Sequence, residues 1–123
     1  MRNLRFQIDW SKIPNPDFLQ GNSHIAHRDP AGHYCNGIFR VFHTRVQKGL
    51  NGIYYSFVAL TESRDLINWT EPRILTQKDN RLNYSSPGNV IRYGDQWILC
   101  VQTYPTIKEQ YIGDKTARIY LMQ

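Results

Sequence analysis

The segment from His24 to His33 contains the side chains best suited to catalysis or ligand binding. Histidines stand at both of its ends and at position 27, and Asp29 lies between the second and the third. Imidazole and carboxylate groups are common ligands of metal ions. Along a β-strand, however, side chains point alternately to opposite faces, so those of His24 and His27 would diverge. The spacing therefore argues against a metal site, and we expect the protein to use no cofactor.

Asp29 is followed directly by Pro30, and this pair admits two interpretations. The carboxylate could accept a hydrogen bond from a nearby backbone N–H and so close a local turn. Alternatively, it could face a pocket. Arg28 is its neighbour in either case and could form an ion pair with it. The residues alone leave both interpretations open.

Several common catalytic motifs are absent from the sequence. It has no phosphate-binding glycine loop, no Ser-His-Asp order and no Cys-x-x-Cys motif. Its two cysteines, Cys35 and Cys100, are far apart and too few for a disulfide scaffold or a zinc site. We therefore expect both thiols to be reduced.

The elements that would position Asp29 are predicted to be β-strands. Asn36-Gly37 is a tight-turn dipeptide, and the residues after it place large apolar groups on both faces, as in a sheet that is packed on both sides. A second β-type run covers residues 53–60. A short turn at 63–68 leads to an outer strand at 69–75, where Pro72 favours an edge position. Because no amphipathic helix is recognisable, the sequence predicts an all-β chain.

A second copy of this pattern follows the first. Three pairs of residues align the two copies: Pro30 with Pro87, Gly37 with Gly94, and Thr44 with Thr103. The repeat spans roughly 57–61 residues, and the second copy stops before its own outer strand. Repeat proteins bury their core by stacking about three or more copies. We therefore expect further sequence, or another chain, to complete the architecture.

Three stretches give the chain a resemblance to a known group. Arg28-Asp29-Pro30, with Asn36-Gly37 and Phe42-His43-Thr44, resembles the first blade of five-bladed furanosidase-type propellers, which are glycoside hydrolase family 43 and its relatives in families 32, 62, 68 and 117. Residues 63–69, Ser-Arg-Asp-Leu-Ile-Asn-Trp, resemble their recurrent Ser-x-Asp-Leu-x-x-Trp turn. Ser86-Pro87-Gly88-Asn89-Val90, followed by Gly94 and Trp97, resembles the start of their second blade.

The resemblance covers roughly residues 23–123 and implies antiparallel four-stranded blades of a five-bladed β-propeller. About two blades are present, so the propeller would be incomplete in this chain. We expect a lead-in at 1–22, a first blade at about 23–76, and an incomplete second blade at about 84–123.

The resemblance also implies a role for Asp29. An aspartate at this position faces the central cavity, and acts as general base in inverting members or as nucleophile in retaining ones. Inversion needs a second carboxyl group about 6.5–9.5 Å away. The substrate would be a plant-type oligosaccharide, and the residues expected to bind it are His27, Arg28, Ser86, Asn89 and Trp97.

Two departures from the family limit this expectation. Asn89 lies near the position of the family's second-blade carboxylate and cannot ionise. The family's general-acid glutamate comes from a later blade, and none of Glu62, Glu71 and Glu109 matches it. We therefore expect the isolated chain to have little or no hydrolytic activity.

Two other functions remain open. The main alternative is a non-catalytic carbohydrate-binding or self-assembling β module, and we expect a homo-oligomer that forms through open blade edges. The other is a basic nucleic-acid-binding β domain, because the net charge is +5 and the pI about 9.4. The fifteen Lys and Arg residues are spread along the chain, which disfavours nucleic acid. No membrane span or signal peptide is recognisable, so we expect a cytoplasmic protein unless a leader has been removed.

Overall fold

The computed structural model describes residues 11, 17–105 and 118–123. Trp10, Pro14 and Pro16 of the expected lead-in, and Glu109, lie outside these residues. The described residues contain no α-helix and form two antiparallel sheets of four strands each. The prediction of an all-β chain with four-stranded antiparallel sheets is therefore confirmed.

The first sheet is a simple meander of neighbouring strands. It contains β1 (Ile25–Cys35), β2 (Ile38–Lys48), β3 (Tyr54–Ser63) and β4 (Arg73–Ile74), in that order. The β1–β2 hairpin turns at Asn36 and Gly37, which both have positive φ angles, 52° and 73°. A two-residue turn of this kind matches the right-handed twist of its strands and favours Asn-Gly, as predicted.

Asp65 closes the turn that follows β3. Its Oδ1 accepts hydrogen bonds from the backbone N–H groups of Ile67 and Asn68, at 2.9 and 2.8 Å, and its Oδ2 accepts one from the Asn68 amide at 2.7 Å. These bonds stabilise the charged form and hold the pKa of Asp65 well below its usual range. Asp65 thus closes the short turn that the sequence predicts at 63–68.

The outer strand is shorter than predicted. Trp69 makes one isolated bridge to Ser63, and β4 begins only after Pro72, which cannot donate a ladder hydrogen bond. The Trp69 ring stacks on Phe18 of the lead-in, with ring centroids 3.8 Å apart and planes at 10°. Phe18 therefore covers one face of the Trp69 ring.

The second sheet has an interrupted first strand. It contains β5 (Leu82–Ser85), β6 (Val90–Tyr93), β7 (Gln96–Pro105) and β8 (Arg118–Met122). Both β5 and β6 pair with β7, at opposite ends of it, and β8 pairs along β7 as well. The break at 86–89 lies where the first sheet has an irregularity in β1, between Arg28 and Ala31.

The two irregularities are related by the repeat. Asp29 and Ser86 both have positive φ angles, 54° and 49°, and each precedes a proline. A residue before proline is excluded from the right-handed helical region, so such a kink needs an unusual backbone conformation. The match of Pro30 with Pro87 is therefore visible in the backbone.

Strand register corrects a second match made from the sequence. Thr44 pairs with Arg28, the residue before the first irregularity, whereas Gln102 pairs with Ser85, the residue before the second. Gln102, not Thr103, is thus the counterpart of Thr44. The break at 86–89 contains more residues than the bulge at 29–30. Residues that follow the break are therefore displaced relative to their counterparts in the first copy of the repeat.

The core lies between the two sheets. Phe42, Val58 and Leu60 come from the first sheet, and Leu99 and Val101 from the second. All five are at most 9% exposed. Burial of apolar side chains is the main favourable term in folding, so this cluster fixes how one sheet sits on the other.

Asn83 joins the sheets at a free strand edge. Its Oδ1 accepts a hydrogen bond from the Ser56 N–H at 2.7 Å, and its Nδ2 donates to the Tyr54 carbonyl at 3.3 Å. Next to them, Val58 N–H donates to Thr76 Oγ1 at 3.1 Å. These side chains occupy backbone groups of β3 that β4 is too short to reach.

Candidate functional site

Asp29 lies at the junction of the two sheets, in the kink of β1. Its Oδ2 accepts hydrogen bonds from the hydroxyls of Thr44, at 2.9 Å, and Ser86, at 3.4 Å. Arg28 Nε lies 3.3 Å from the same oxygen. Within the described residues, no hydrogen bond reaches Oδ1. One carboxylate oxygen is therefore held by three groups and the other is open, with the side chain 37% exposed.

Thr44 is the centre of this arrangement. It is fully buried, and its hydroxyl accepts a hydrogen bond from the Ser86 backbone N–H at 2.7 Å while donating to Asp29. One hydroxyl thus connects the two related kinks. The bonds of Asp29 run to side chains across the junction, and none of the described residues gives it the local backbone bond that a turn cap would need.

Arg28 has structural partners on both sheets. Besides the ion pair with Asp29, its guanidinium donates to the Tyr104 hydroxyl at 3.4 Å. That hydroxyl also shares a hydrogen bond with Ser56 Oγ at 3.0 Å. The Arg28 side chain remains half-exposed, so it can still donate to a ligand from its solvent side.

The other predicted binding residues do not all lie in this cluster. Ser86 belongs to it. Asn89 is exposed and its carbonyl accepts a hydrogen bond from Cys100 N–H at 3.4 Å. Trp97 is 43% exposed, and its ring meets the edge of His33 with centroids 5.0 Å apart. Trp97 on the second sheet thus contacts a ring of the first sheet.

His27 lies in a cavity on the face of the first sheet that is opposite the core. The cavity has a volume of about 180 Å³. His43 also lines it, and the two imidazole rings meet edge to face with centroids 5.0 Å apart. The sequence analysis did not single out His43 as a ligand-binding residue.

Both histidines favour the neutral form. Burial lowers the pKa of His27, and the nearby Arg45 guanidinium lowers it further. Burial is also the main cause that lowers the pKa of His43, with smaller contributions from His27 and Arg45; the contact with the Val41 carbonyl acts in the opposite direction. At neutral pH each ring therefore has one N–H donor and one acceptor nitrogen.

These lowered pKa values predict an acid-sensitive fold. The histidines of the unfolded chain bind protons near the ordinary pKa of 6.5, whereas His27 and His43 in the folded chain bind them only at a lower pH. The free energy of unfolding should therefore fall as the pH drops from 7.5 through 6.5, and stop falling below the folded pKa values. Each unit by which a pKa is lowered contributes about 1.4 kcal/mol.

Urea unfolding at a series of pH values measures this effect. The variant His43→Gln should show a shallower loss between pH 7.5 and 5 than the wild-type chain, and His24→Gln, at an exposed position, should show the wild-type loss. Equal pH profiles for all three proteins would contradict the assignment to His43.

The described residues contain no group of three or more His, Cys, Asp or Glu side chains that could hold a metal ion. Cys35 and Cys100 are free thiols. Among the acidic residues, Glu62 forms an ion pair with Arg40 at 2.9 Å. Within the part of the chain that the structure describes, no helix is long and apolar enough to cross a membrane.

Comparison of the chain with protein-family models, with curated proteins and with solved structures finds no match. The functional assignment therefore rests on the residues and distances given above.

Proposed function

We propose that this chain is a carbohydrate-binding, glycoside hydrolase family 43-like domain in which Asp29 is the carboxylate that meets the sugar. The observation that supports it best is the unequal use of the two oxygens of Asp29. Oδ2 is held by Thr44, Ser86 and Arg28, whereas Oδ1 accepts no bond from the described residues. A fixed carboxylate with one open oxygen is suited to accept a hydrogen bond from a sugar hydroxyl or from water.

The proposal concerns binding, because hydrolysis by inversion needs two carboxyl groups. In the described residues, no second carboxylate belongs to the hydrogen-bonded cluster around Asp29. Glu62 is paired with Arg40, and Asp65 is engaged in its own turn. A general acid would have to come from outside this cluster, so the chain by itself is proposed to bind plant-type oligosaccharides with little or no cleavage.

The variant Asp29→Asn tests this proposal. It keeps the shape of the side chain but removes the charge, and hydrogen bonds to charged groups are roughly twice as strong as neutral ones. We expect the affinity for an arabinan or xylan oligosaccharide, measured by isothermal titration calorimetry, to fall by about tenfold, which is about 1.4 kcal/mol.

Asp95→Asn is the matched control, because Asp95 is an exposed residue in the β6–β7 turn. It should bind as the wild-type chain does. If Asp29→Asn and Asp95→Asn bound equally well, or if the wild-type chain bound none of these oligosaccharides, the proposal would be rejected.

A second proposal concerns assembly. The second sheet presents apolar side chains on the face that does not meet the first sheet: Ile91, Tyr93, Ile119 and Leu121, each between 54% and 74% exposed. On β7, the partner of Ile91 is residue 98, that of Tyr93 is 96, that of Ile119 is 102 and that of Leu121 is 100. These four partners lie at every second position of β7, so all four exposed side chains share one face. We propose that a second copy of this chain covers this face, which we name the outer face.

A further inference from the structure

A cavity lies between residues 17–19 and the first sheet. It lies on the side of β1 and β2 that is opposite the core, and its volume is about 180 Å³. That volume corresponds to about six water molecules at ~30 Å³ each, and it is smaller than the ~300–1,000 Å³ of pockets for drug-sized ligands. A single small ring fits this space better than an oligosaccharide does.

His43 provides the cavity with an acceptor. The residue is only 2% exposed, and its Nδ1 lies 3.4 Å from the Val41 carbonyl oxygen. A carbonyl can only accept, so this contact favours the tautomer with the hydrogen on Nδ1 and the lone pair on Nε2. Nε2 is buried and has no hydrogen-bond partner within the described residues. A buried acceptor without a donor is costly, and none of the described residues supplies a donor to this atom.

His27 adds a second unsatisfied nitrogen. Its Nδ1 is likewise buried and without a partner in the described part of the chain. The His27 ring meets that of His43 edge to face, and both residues line the cavity. A ligand with two hydroxyl groups could satisfy both.

The remaining walls are mostly apolar. Phe18, Leu19, Pro30 and Val41 line the cavity, and Phe18 is held in place by its stack on Trp69. Asp17 also lines it, and its Oδ2 accepts a hydrogen bond from the Gln20 side chain at 3.0 Å. Arg28 also lines it, and its half-exposed guanidinium offers N–H donors. Apolar walls with a few fixed polar atoms are typical of small-molecule sites. They match a sugar ring, which has hydroxyl groups at its rim and C–H groups on its faces.

We propose that this cavity binds a single sugar ring, with one hydroxyl donating to His43 Nε2 and another hydrogen-bonded to His27. The choice of a sugar rests on the proposed function. Arg28 and Pro30 flank Asp29 in the chain and line the cavity, so the ring lies beside the Asp29 cluster and not within it.

The test uses three free monosaccharides, D-xylose, L-arabinose and D-galactose, at up to about 50 mM, which covers affinities in the millimolar range. Long-range ¹H–¹⁵N correlation spectra report the imidazole nitrogens directly. In the free protein, His43 should show the tautomer with hydrogen on Nδ1. At least one sugar should shift the Nε2 signal of His43 in a saturable way, while the signals of the exposed His24 stay unchanged.

Two variants separate binding from folding. His43→Phe removes the acceptor and should weaken monosaccharide binding by about tenfold or more, a loss equivalent to about 1.4 kcal/mol. Leu19→Trp should block the cavity from the lead-in side without altering either histidine. Loss of binding in Leu19→Trp, with an unchanged unfolding temperature, would support the site even if His43→Phe failed to fold.

The outcomes distinguish this inference from the proposed function. Asp29→Asn should keep monosaccharide binding in the cavity while it loses oligosaccharide affinity. If His43→Phe and Leu19→Trp bound the monosaccharides as the wild-type chain does, the cavity proposal would be overturned and the role of Asp29 would stand. Absence of any saturable shift, or a shift of His43 with ZnCl₂ but with none of the sugars, would overturn it too.

Discussion

Replacement of Leu60 by alanine should lower the free energy of unfolding by about 2–5 kcal/mol, the usual cost of a large buried aliphatic side chain. Leu60 is 5% exposed and contributes to the cluster that joins the two sheets. Total stabilities of single domains are only about 5–15 kcal/mol, so a loss of this size removes a large fraction of the whole. The junction that carries Thr44 and Ser86 should loosen with it.

Urea denaturation followed by tryptophan fluorescence measures this loss. Leu50→Ala is the matched control, because Leu50 has the same side chain but is fully exposed in the loop between β2 and β3. It should change stability by less than about 0.5 kcal/mol. Similar stabilities for Leu60→Ala and Leu50→Ala would show that the sheets do not pack through this cluster.

Replacement of Leu121 by glutamate should convert the proposed dimer to a monomer. Leu121 is 67% exposed on the outer face, two residues after Ile119 on the same strand. Each large aliphatic side chain contributes about 1.5–3 kcal/mol when it is fully buried, and a carboxylate there would have to be desolvated instead. An interface that contains four such apolar side chains should not survive this exchange.

Light scattering coupled to size-exclusion chromatography, at micromolar concentrations, gives the mass directly. The wild-type chain should elute at about twice the 14.5 kDa of one chain, and Leu121→Glu at the mass of one chain. Leu50→Glu introduces the same charge in an exposed loop and should remain a dimer. A wild-type monomer would reject the assembly proposal.

Local features of the fold were predictable from the sequence. Asn36-Gly37 identified the first hairpin because few dipeptides adopt two successive positive φ angles. The Asp65 turn was equally clear, since all its bonds lie within three residues. Alternation and turn spacing then predicted two sheets of antiparallel strands.

Contacts between distant residues were not predictable in the same way. The bond of Thr44 to Ser86 joins residues 42 positions apart, and it depends on how one sheet rests on the other. The length of the break at 86–89 shifted the repeat, so Thr44 was matched with the wrong residue of β7. His43 stands between Phe42 and Thr44, which are also buried, and no local pattern marks it as a cavity residue.

The amide of Asn83 has a consequence for how the protein avoids aggregation. A strand edge with free N–H and C=O groups is a template for another strand and hence for fibrils. Beside β3, one side chain already occupies the Ser56 donor and the Tyr54 acceptor. These two groups are therefore not available to an incoming strand, and this makes strand addition at this end of the first sheet less favourable.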